Sequence, residues 1–351
     1  MNFIRNFTVF RIKDELLMGK NKGLYIVLCC LPLFLALAAF SSGRYPVSLG
    51  IAGHILLSPL TGELPFWPSA AENVIFQLRL PRILAAMLIG AGLASSGAAF
   101  QGVFRNPLVS PYILGVASGA GFGAALAILL TDSAWMVQIS ALFFGILAVL
   151  AAYSFSLVYK TAPTLVLILG GIVTGAFFSA MISLIKFVAD PYEKLPAIVF
   201  WLMGSLAQIN TDLMVRPALV LTLALCLLLL LGWRINLLSM GENEARSFGV
   251  HTKRDRALLI FLCTLITASA TCLAGIIGWV GLVIPHIGRL LVGPDNRKLL
   301  PACMSLGASY LLLVDTLSRT LTETEIPLGI LTASLGAPFF AYLMLRRKVR
   351  W

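Results

Sequence analysis

The stretch SMGENEARSFGV, residues 239–250, decides how this chain is read. It holds two glutamates, an arginine, an asparagine and two glycines. Before it runs LVLTLALCLLLLLGW (219–233) and after it ALLIFLCTLITASATCLAG (257–275), and neither run contains a charged residue. The polar stretch has the marks of a short helix. Ser239 can cap its start, and Glu242, three residues on, completes a capping box. Glu242 and Arg246 form an i,i+4 pair in the favourable order, and Gly249 suits the position just past the helix end. A connection that only turns the chain round needs roughly two to eight residues, and this one spends more than twenty. Two readings stand: a docking surface, or a solvated amphipathic linker.

The composition explains the flanking runs. Of 351 residues, 59% are hydrophobic and 12% are charged. A soluble domain carries roughly 25% charged residues, so lipid is the solvent for most of this chain. The net charge of +11 does not imply nucleic acid, because the basic residues sit in short clusters between apolar runs. Cys29, Cys30, Cys226, Cys263, Cys272 and Cys303 lie within or beside apolar runs without metal-ligand spacing, and read as small hydrophobes. No metal or cofactor is expected.

A spanning helix needs about 20 mostly apolar residues. Ten runs qualify: 23–42, 80–104, 111–131, 134–159, 163–189, 213–233, 255–273, 275–292, 299–318 and 327–346. The eighth is short and interrupted by glycine and proline. An all-α polytopic membrane protein follows, since a barrel would show alternating segments of about ten residues. The basic start and the apolar run at 24–40 mimic a signal peptide, but the many later spans make it a retained first helix. Lys and Arg cluster in 1–22, 233–256, 289–298 and the tail. Ten spans with both termini in the cytoplasm put all four clusters on the cytoplasmic side. The expected organisation is a cytoplasmic segment 1–22, a ten-helix transmembrane domain 23–346 that includes the polar segment 237–252, and a cytoplasmic tail 347–351. The loop 43–79, with four prolines, is expected to be ordered but mostly not helical.

Several stretches resemble the FecCD/BtuC-type permeases of ATP-binding-cassette importers, the iron-siderophore, haem and vitamin B12 branch. They are QLRLPRILAAMLIGAGLASSGAAFQGVFRNPLVSPYILGVASGAGFG (77–123), FWLMGSL (200–206), LLSMGENEARSFGV (237–250), GWVGLVIPHIGRLL (278–291) and DTLSRTLTETEIPLGILTASLGAPFF (315–340). The resemblance implies the type II importer permease fold. It implies a second permease copy, two ATPase subunits that hydrolyse the ATP, and an external substrate-binding protein. The chain itself would then be a transport subunit of a prokaryotic cytoplasmic membrane and not an enzyme. By the same resemblance, Ser239, Gly241, Glu242, Glu244, Ala245, Arg246, Phe248 and Gly249 form the ATPase coupling element.

The other constellations carry two readings each. Arg79 and Arg82 lie three apart at the outer end of the second span, where snorkelling is the plain explanation. The resemblance makes them, with Arg319, docking cations for the binding protein, while Asp315 is placed to hold Arg319. Asn106-Pro107-Leu108 reads as a helix terminator. The resemblance puts Asn106, Leu108, Thr164 and Leu165 in a cytoplasmic gate. Gly171, Gly175 and Ser179 repeat every four residues, which permits close helix packing, and the resemblance adds that they line the pathway. His286 is a lone histidine without a visible second ligand. No carboxylate sits mid-span, which argues against an ion-coupled secondary carrier, the alternative from another class. The expected cargo is an iron chelate, a ferric siderophore or haem, by the family's base rate. Cobalamin and molybdate or tungstate are the alternatives.

Overall fold

The computed structural model of the protein describes residues 23–62, 64–158 and 163–346, and for Pro163, Thr164, Met344 and Arg346 the backbone alone. The expected terminal segments 1–22 and 347–351 lie outside the described residues. All regular structure among the described residues is helical. In chain order the helices are α1 (Gly23–Ser41), α2 (Leu49–Thr61), α3 (Ser69–Asn73), a π-helical turn (Val74–Arg79), α4 (Leu80–Val103), α5 (Val116–Leu130), α6 (Ala134–Val158), α7 (Pro163–Val188) and α8 (Lys194–Met203). They continue with α9 (Thr211–Leu230), α10 (Gly232–Met240), α11 (Glu242–Ser247), α12 (Thr252–Ala274), α13 (Val280–Val292), α14 (Asn296–Thr320) and α15 (Leu328–Arg346).

Each of the ten expected spans meets a helix. Among the described residues, seven helices are long and apolar enough to cross a membrane: α1, the continuous Ser69–Val103 rod, α6, α7, α9, α12 and α14. The expected 43–79 loop is corrected. It contains α2, α3 and the π turn: Pro46 and Pro65 lie outside helices, Pro68 precedes the first turn of α3, and Pro59 falls within the last turn of α2, where the Ser58 hydroxyl serves the Ile55 carbonyl that proline cannot (2.8 Å).

α4 is the central helix. It packs against α12, α13 and α14, and nearly every side chain along it is buried. Its sequence explains this position. LPRILAAMLIGAGLASSGAAFQGV places small residues on all faces, so neighbouring backbones can approach on several sides. A Cβ added at Gly90 would sit 2.2 Å from the Gly307 carbonyl oxygen of α14, and one at Gly307 would sit 2.3 Å from that of Gly90. Two turns further along the same face, a Cβ at Gly97 would lie 2.0 Å from the Gly281 oxygen of α13. A second group is formed by α5, α6 and α7. α12 joins the groups by packing on α4, α6 and α9.

α13 has 13 residues, a rise of about 20 Å, well short of the roughly 30 Å hydrocarbon layer. The missing length is the non-helical Gly275–Trp279, in which Gly275 has φ +69° and Trp279 φ +69°. Irregular backbone survives inside a membrane protein where its polar groups are paired. Here the ends of α8, α12 and α15 meet backbone to backbone. The Ser205 amide donates to the Ala274 carbonyl (2.8 Å), and the Leu328 amide donates to the Gly204 carbonyl (2.8 Å). Gly275 permits the approach, since a Cβ there would lie 2.2 Å from the Trp201 oxygen.

Gly307→Ala should destabilise the bundle by about 1–3 kcal/mol or more, because its Cβ would meet rigid backbone. Gly175→Ala, whose Cβ would make only a 3.7 Å contact, should be neutral. Melting curves of both variants in detergent check the contrast, and equal losses would refute the crossing as the rigid contact.

Candidate functional site: two ends of one bundle

The polar residues gather at the two ends of the bundle. One end carries α10, α11 and the start of α12. Here the expected single helix is corrected. Gly241, at φ +142°, divides it into α10 and α11. That backbone conformation is rarely open to other residues. Ser239 therefore caps nothing: its hydroxyl donates to the Asn236 carbonyl inside α10 (2.7 Å). Gly241 takes the N-cap position, with the Glu244 carboxylate folded against its Cα. The Glu242–Arg246 pair forms as expected (2.7 Å). Gly249 has φ +77°, and its amide donates to the Arg246 carbonyl (2.9 Å).

The segment is anchored beneath. Glu242 also accepts from the Thr252 hydroxyl (3.4 Å) and faces Arg256 at 3.8 Å. Arg234 pairs with Asp255 at the start of α12. The Asn236 amide donates to Asp295 (2.6 Å), while its oxygen accepts from the Asn296 backbone (2.8 Å). Burial works to raise the Asp295 carboxyl. The donors from Asn236 and the Arg297 backbone, with Lys298 and Arg297 nearby, outweigh it and hold the group below the usual carboxylate range. α10 is thus bolted to α12 and α14. Ala245 is fully buried in this anchored side, whereas Phe248 is 62% exposed. Outward from α11 and its C-cap therefore stand Asn243, Glu244, Arg246, Ser247 and Phe248, and Ala245 does not belong to this face.

At the same end Asn106 closes an Asx turn: its Oδ1 accepts from the Leu108 amide (2.9 Å). The terminator reading holds locally. Gln101 ties this turn to α4, donating to the Val109 carbonyl (3.2 Å) and accepting from Arg289. Leu108 and Leu165 are both exposed apolar side chains. The Thr164 side chain lies outside the described residues.

Gly171 is closely packed, whereas Gly175 has room for a side-chain methyl. A Cβ at Gly171 would lie 2.3 Å from the Ile113 carbonyl oxygen, and Gly175 lies beside Gly115. Ser179 is exposed and donates to the Ser118 hydroxyl (3.3 Å). Close packing is thus met at Gly171, whose missing Cβ lets α7 approach the 113–114 backbone.

The opposite end holds the three expected docking arginines, and none is a free surface cation. Arg79 is buried and donates to the carbonyls of Phe40 and Tyr45. Arg319 donates to those of Ala39 (3.0 Å) and Ser42 (2.9 Å). These carbonyls close the end of α1, where the last turn of a helix has no internal partners. Gly43 makes room, because a Cβ there would sit 2.9 Å from the Arg79 guanidinium. Arg82 pairs with Asp315 (2.8 Å) and forks onto Glu325 (2.9 Å to each oxygen). Asp315 also faces Arg319 at 3.5 Å. Asp315 lies in the last third of α14 with no exposed surface. It is a buried counter-ion that the sequence reading placed beside Arg319 alone. The signal for Arg82 was absent from the local sequence, because the two residues stand 233 positions apart.

His286 is buried, with its ring edge-on to Phe340 at 6.4 Å. Among the described residues no group of three His, Cys, Asp or Glu is placed to hold a metal ion.

Asp315→Asn should cost about 3 kcal/mol, because it strips a buried guanidinium of its fully buried partner. Glu325→Gln, at the wet rim, should cost about 1 kcal/mol or less. Chemical or thermal melting in detergent measures both, and reversal of that order would refute the assignment of Asp315 as the core of the cluster.

Comparison with known proteins bears on both ends. A family description, the FecCD transport family, matches residues 30–346. The molybdate import system permease protein MolB of Haemophilus influenzae is 45% identical over 310 residues, covering 86% of this chain and 92% of that protein. A Helicobacter pylori protein named as a probable iron chelatin transport system permease is 38% identical over 333 residues, covering 93% and 99%. A solved ABC transporter in an inward-facing conformation, assigned to the metal-chelate type, matches with TM-score 0.83 and 42% identity, covering 93% of this chain and 99% of that one.

Proposed function

The chain belongs to the FecCD transport family, and from that premise we propose that it is the permease half of an ATP-driven importer whose ATP is hydrolysed by a separate subunit. It is a multi-pass membrane subunit of the ABC importer class. The observation that carries the fuller reading is the α10–α11 segment: a short polar helix set off by Gly241, anchored below through Glu242 and Asn236, and presenting Phe248 outward. A linker that only turned the chain would not need that anchorage. Force applied to α11 reaches α12 through Glu242, Thr252 and Arg256, and reaches α14 through Asn236 and Asp295. In this reading Arg246, Phe248 and their neighbours meet the ATPase, the basic end faces the cytoplasm, and two copies of the chain form the pore.

The gate is proposed at Asn106, Leu108, Thr164 and Leu165. Leu108 stands on a turn fixed by Asn106 and Gln101, and Leu165 on the first turn of α7. Exposed leucines of that kind seal against a second copy without needing a charged partner. Docking of an external binding protein is proposed at the opposite end, on the rim of 43–48 and 321–325. There the three arginines would act by holding that rim in shape, with Arg82 reaching the surface through Glu325.

Two cargo readings follow. An iron chelate suits a chain that needs no ligand set of its own, since the metal would arrive already wrapped. A molybdate-type oxyanion is favoured by one specific observation, the 45% identity to a permease named for molybdate. Native mass spectrometry of the cognate binding protein with its ligand retained decides between them: a ferric chelate mass supports the first, and a metal oxyanion mass supports the second. Recovery of an amino acid or sugar would refute both.

Reconstitution with its ATPase and binding protein should give ATP-dependent uptake into vesicles. Phe248→Asp should abolish uptake while leaving the melting temperature unchanged. Leu108→Cys, cross-linked between two copies, should block uptake reversibly under reductant. Full uptake by both would remove the coupling and gate assignments.

A further inference from the structure

Gln101 stands one turn beyond Gly97 on the same face of α4 and is only 3% exposed. Three groups meet its amide. The nitrogen donates to the Val109 carbonyl (3.2 Å) and to that of Gly281 (3.4 Å), and the oxygen accepts from the Arg289 guanidinium. These partners fix which end of the amide points where, because a carbonyl can only accept and a guanidinium can only donate. A glutamate here would set a carboxylate oxygen against two carbonyls. A leucine would leave all three groups without a partner, and a lysine would face the charge of Arg289. Glutamine answers both sides at once.

The partners join the 105–111 turn to α13. Val109 belongs to the turn that carries Leu108, whereas Gly281 and Arg289 belong to α13. The same segment leans on α13 and its approach at two more places. A Cβ on Gly281 would lie 2.3 Å from Pro111, and the Tyr112 hydroxyl donates to the Ile277 carbonyl (2.9 Å). α13 has a held end and a loaded end. It is held at Gly281, where its backbone touches that of α4 at Gly97. Arg289 stands eight residues further on, about 12 Å along the axis. Beside it, Gly288 seats on α14: a Cβ there would lie 2.9 Å from Leu299 and 3.1 Å from the Cys303 sulfur. The start of α14 is tied to α10 through Asn236. A shift of α10 and the first turn of α14 therefore bears on the Arg289 end of α13, while the Gly281 end stays at the crossing. Once Arg289 is displaced, the Gln101 oxygen loses its donor and the amide loses its fixed orientation.

We propose that Arg289 and Gln101 are positioning residues that pass movement of α13 to the turn bearing Leu108. While Arg289 holds the Gln101 oxygen, the nitrogen clamps Val109 and the turn keeps its place. When the loaded end of α13 swings, the clamp slackens and Leu108 is released. The inference rests on the transport reading, since it gives a lever to the gate proposed there, and it asks neither residue to touch the cargo.

Three variants test it: Gln101→Glu, Arg289→Met and Arg289→Lys. The first measurement is hydrogen exchange of the full-length chain in detergent, read by mass spectrometry. Gln101→Glu and Arg289→Met should exchange the Leu108 and Val109 amides about tenfold faster, the factor expected for one lost hydrogen bond. Arg289→Lys keeps a donor for the Gln101 oxygen and should stay within about twofold of the wild type. Exchange over 90–97 should not change in any of them. The second measurement is made on the chain reconstituted in vesicles with its ATPase and binding protein. A turn that is always slack no longer follows α13, so Gln101→Glu should hydrolyse ATP at the wild-type rate and lose uptake about tenfold, a coupling loss of the same size. Arg289→Lys should restore the uptake that Arg289→Met loses. Unchanged exchange at Leu108 and Val109 in Gln101→Glu would overturn the proposal. So would hydrolysis and uptake falling together with the melting temperature, which is the signature of a structural role alone. If Arg289→Met does not fold, Gln101→Glu decides, because it leaves Arg289 its partner. Absence of uptake by the wild-type complex would count against the transport reading, and the exchange contrast, measured on the chain alone, would still uphold or overturn the clamp.

Discussion

The close crossing of α4 with α14 is the contact on which the rest of the structure depends. In lipid there is no strong hydrophobic drive between helices, so association rests on close packing and on polar contacts. Gly90 and Gly307 remove both Cβ atoms from the crossing and let the backbones touch. Gly97 and Gly281 do the same for α13. With α4 thus enclosed, its two ends become fixed points. At one end Arg82 is held where Asp315 of α14 can meet it. At the other, Gln101 is held where it can tie down the 105–111 turn and accept from Arg289 of α13.

The polar residues serve the ends of helices more than a reaction centre. Arg79 and Arg319 satisfy the last carbonyls of α1. Asn236 satisfies the first amides of α14. Where three helices stop or start, the Ser205 amide serves the Ala274 carbonyl and the Leu328 amide serves that of Gly204. A polar backbone group inside a membrane protein must find such a partner. That requirement explains why the chain keeps charged and amide side chains at turns that are otherwise apolar. It also explains how a displacement of α11 can travel: the ties from Glu242 and Asn236 lead into α12 and α14, and both of those helices lie directly on α4.

Glu242 and Arg246 show how much of the candidate site was legible in one dimension. An i,i+4 pair needs only helical geometry, so sequence spacing predicted it and the pair forms. Ser239 shows the limit. Its capping box satisfied the local pattern, but the chain broke at Gly241, because only glycine takes that backbone angle easily and α10 is bolted to its neighbours up to that point. Ala245 and Phe248 lie three apart on the same short helix, yet one faces the bundle and the other faces away. Spacing along the helix does not say which direction is inward.

The sequence by itself determined the helical class, the ten apolar runs and the family, because lipid imposes length and composition on each span separately. Of the four basic clusters expected on one side, the two within the described residues, 233–256 and 289–298, do meet, through Asn236 and Asp295. Tertiary structure alone decided which residues of those spans meet. The Arg82–Asp315 pair, the arginine caps on α1 and the junction at Gly275 all join positions far apart in the chain. Local pattern cannot encode such pairings, because each needs the three-dimensional crossing of α4 and its neighbours before its two halves come within reach.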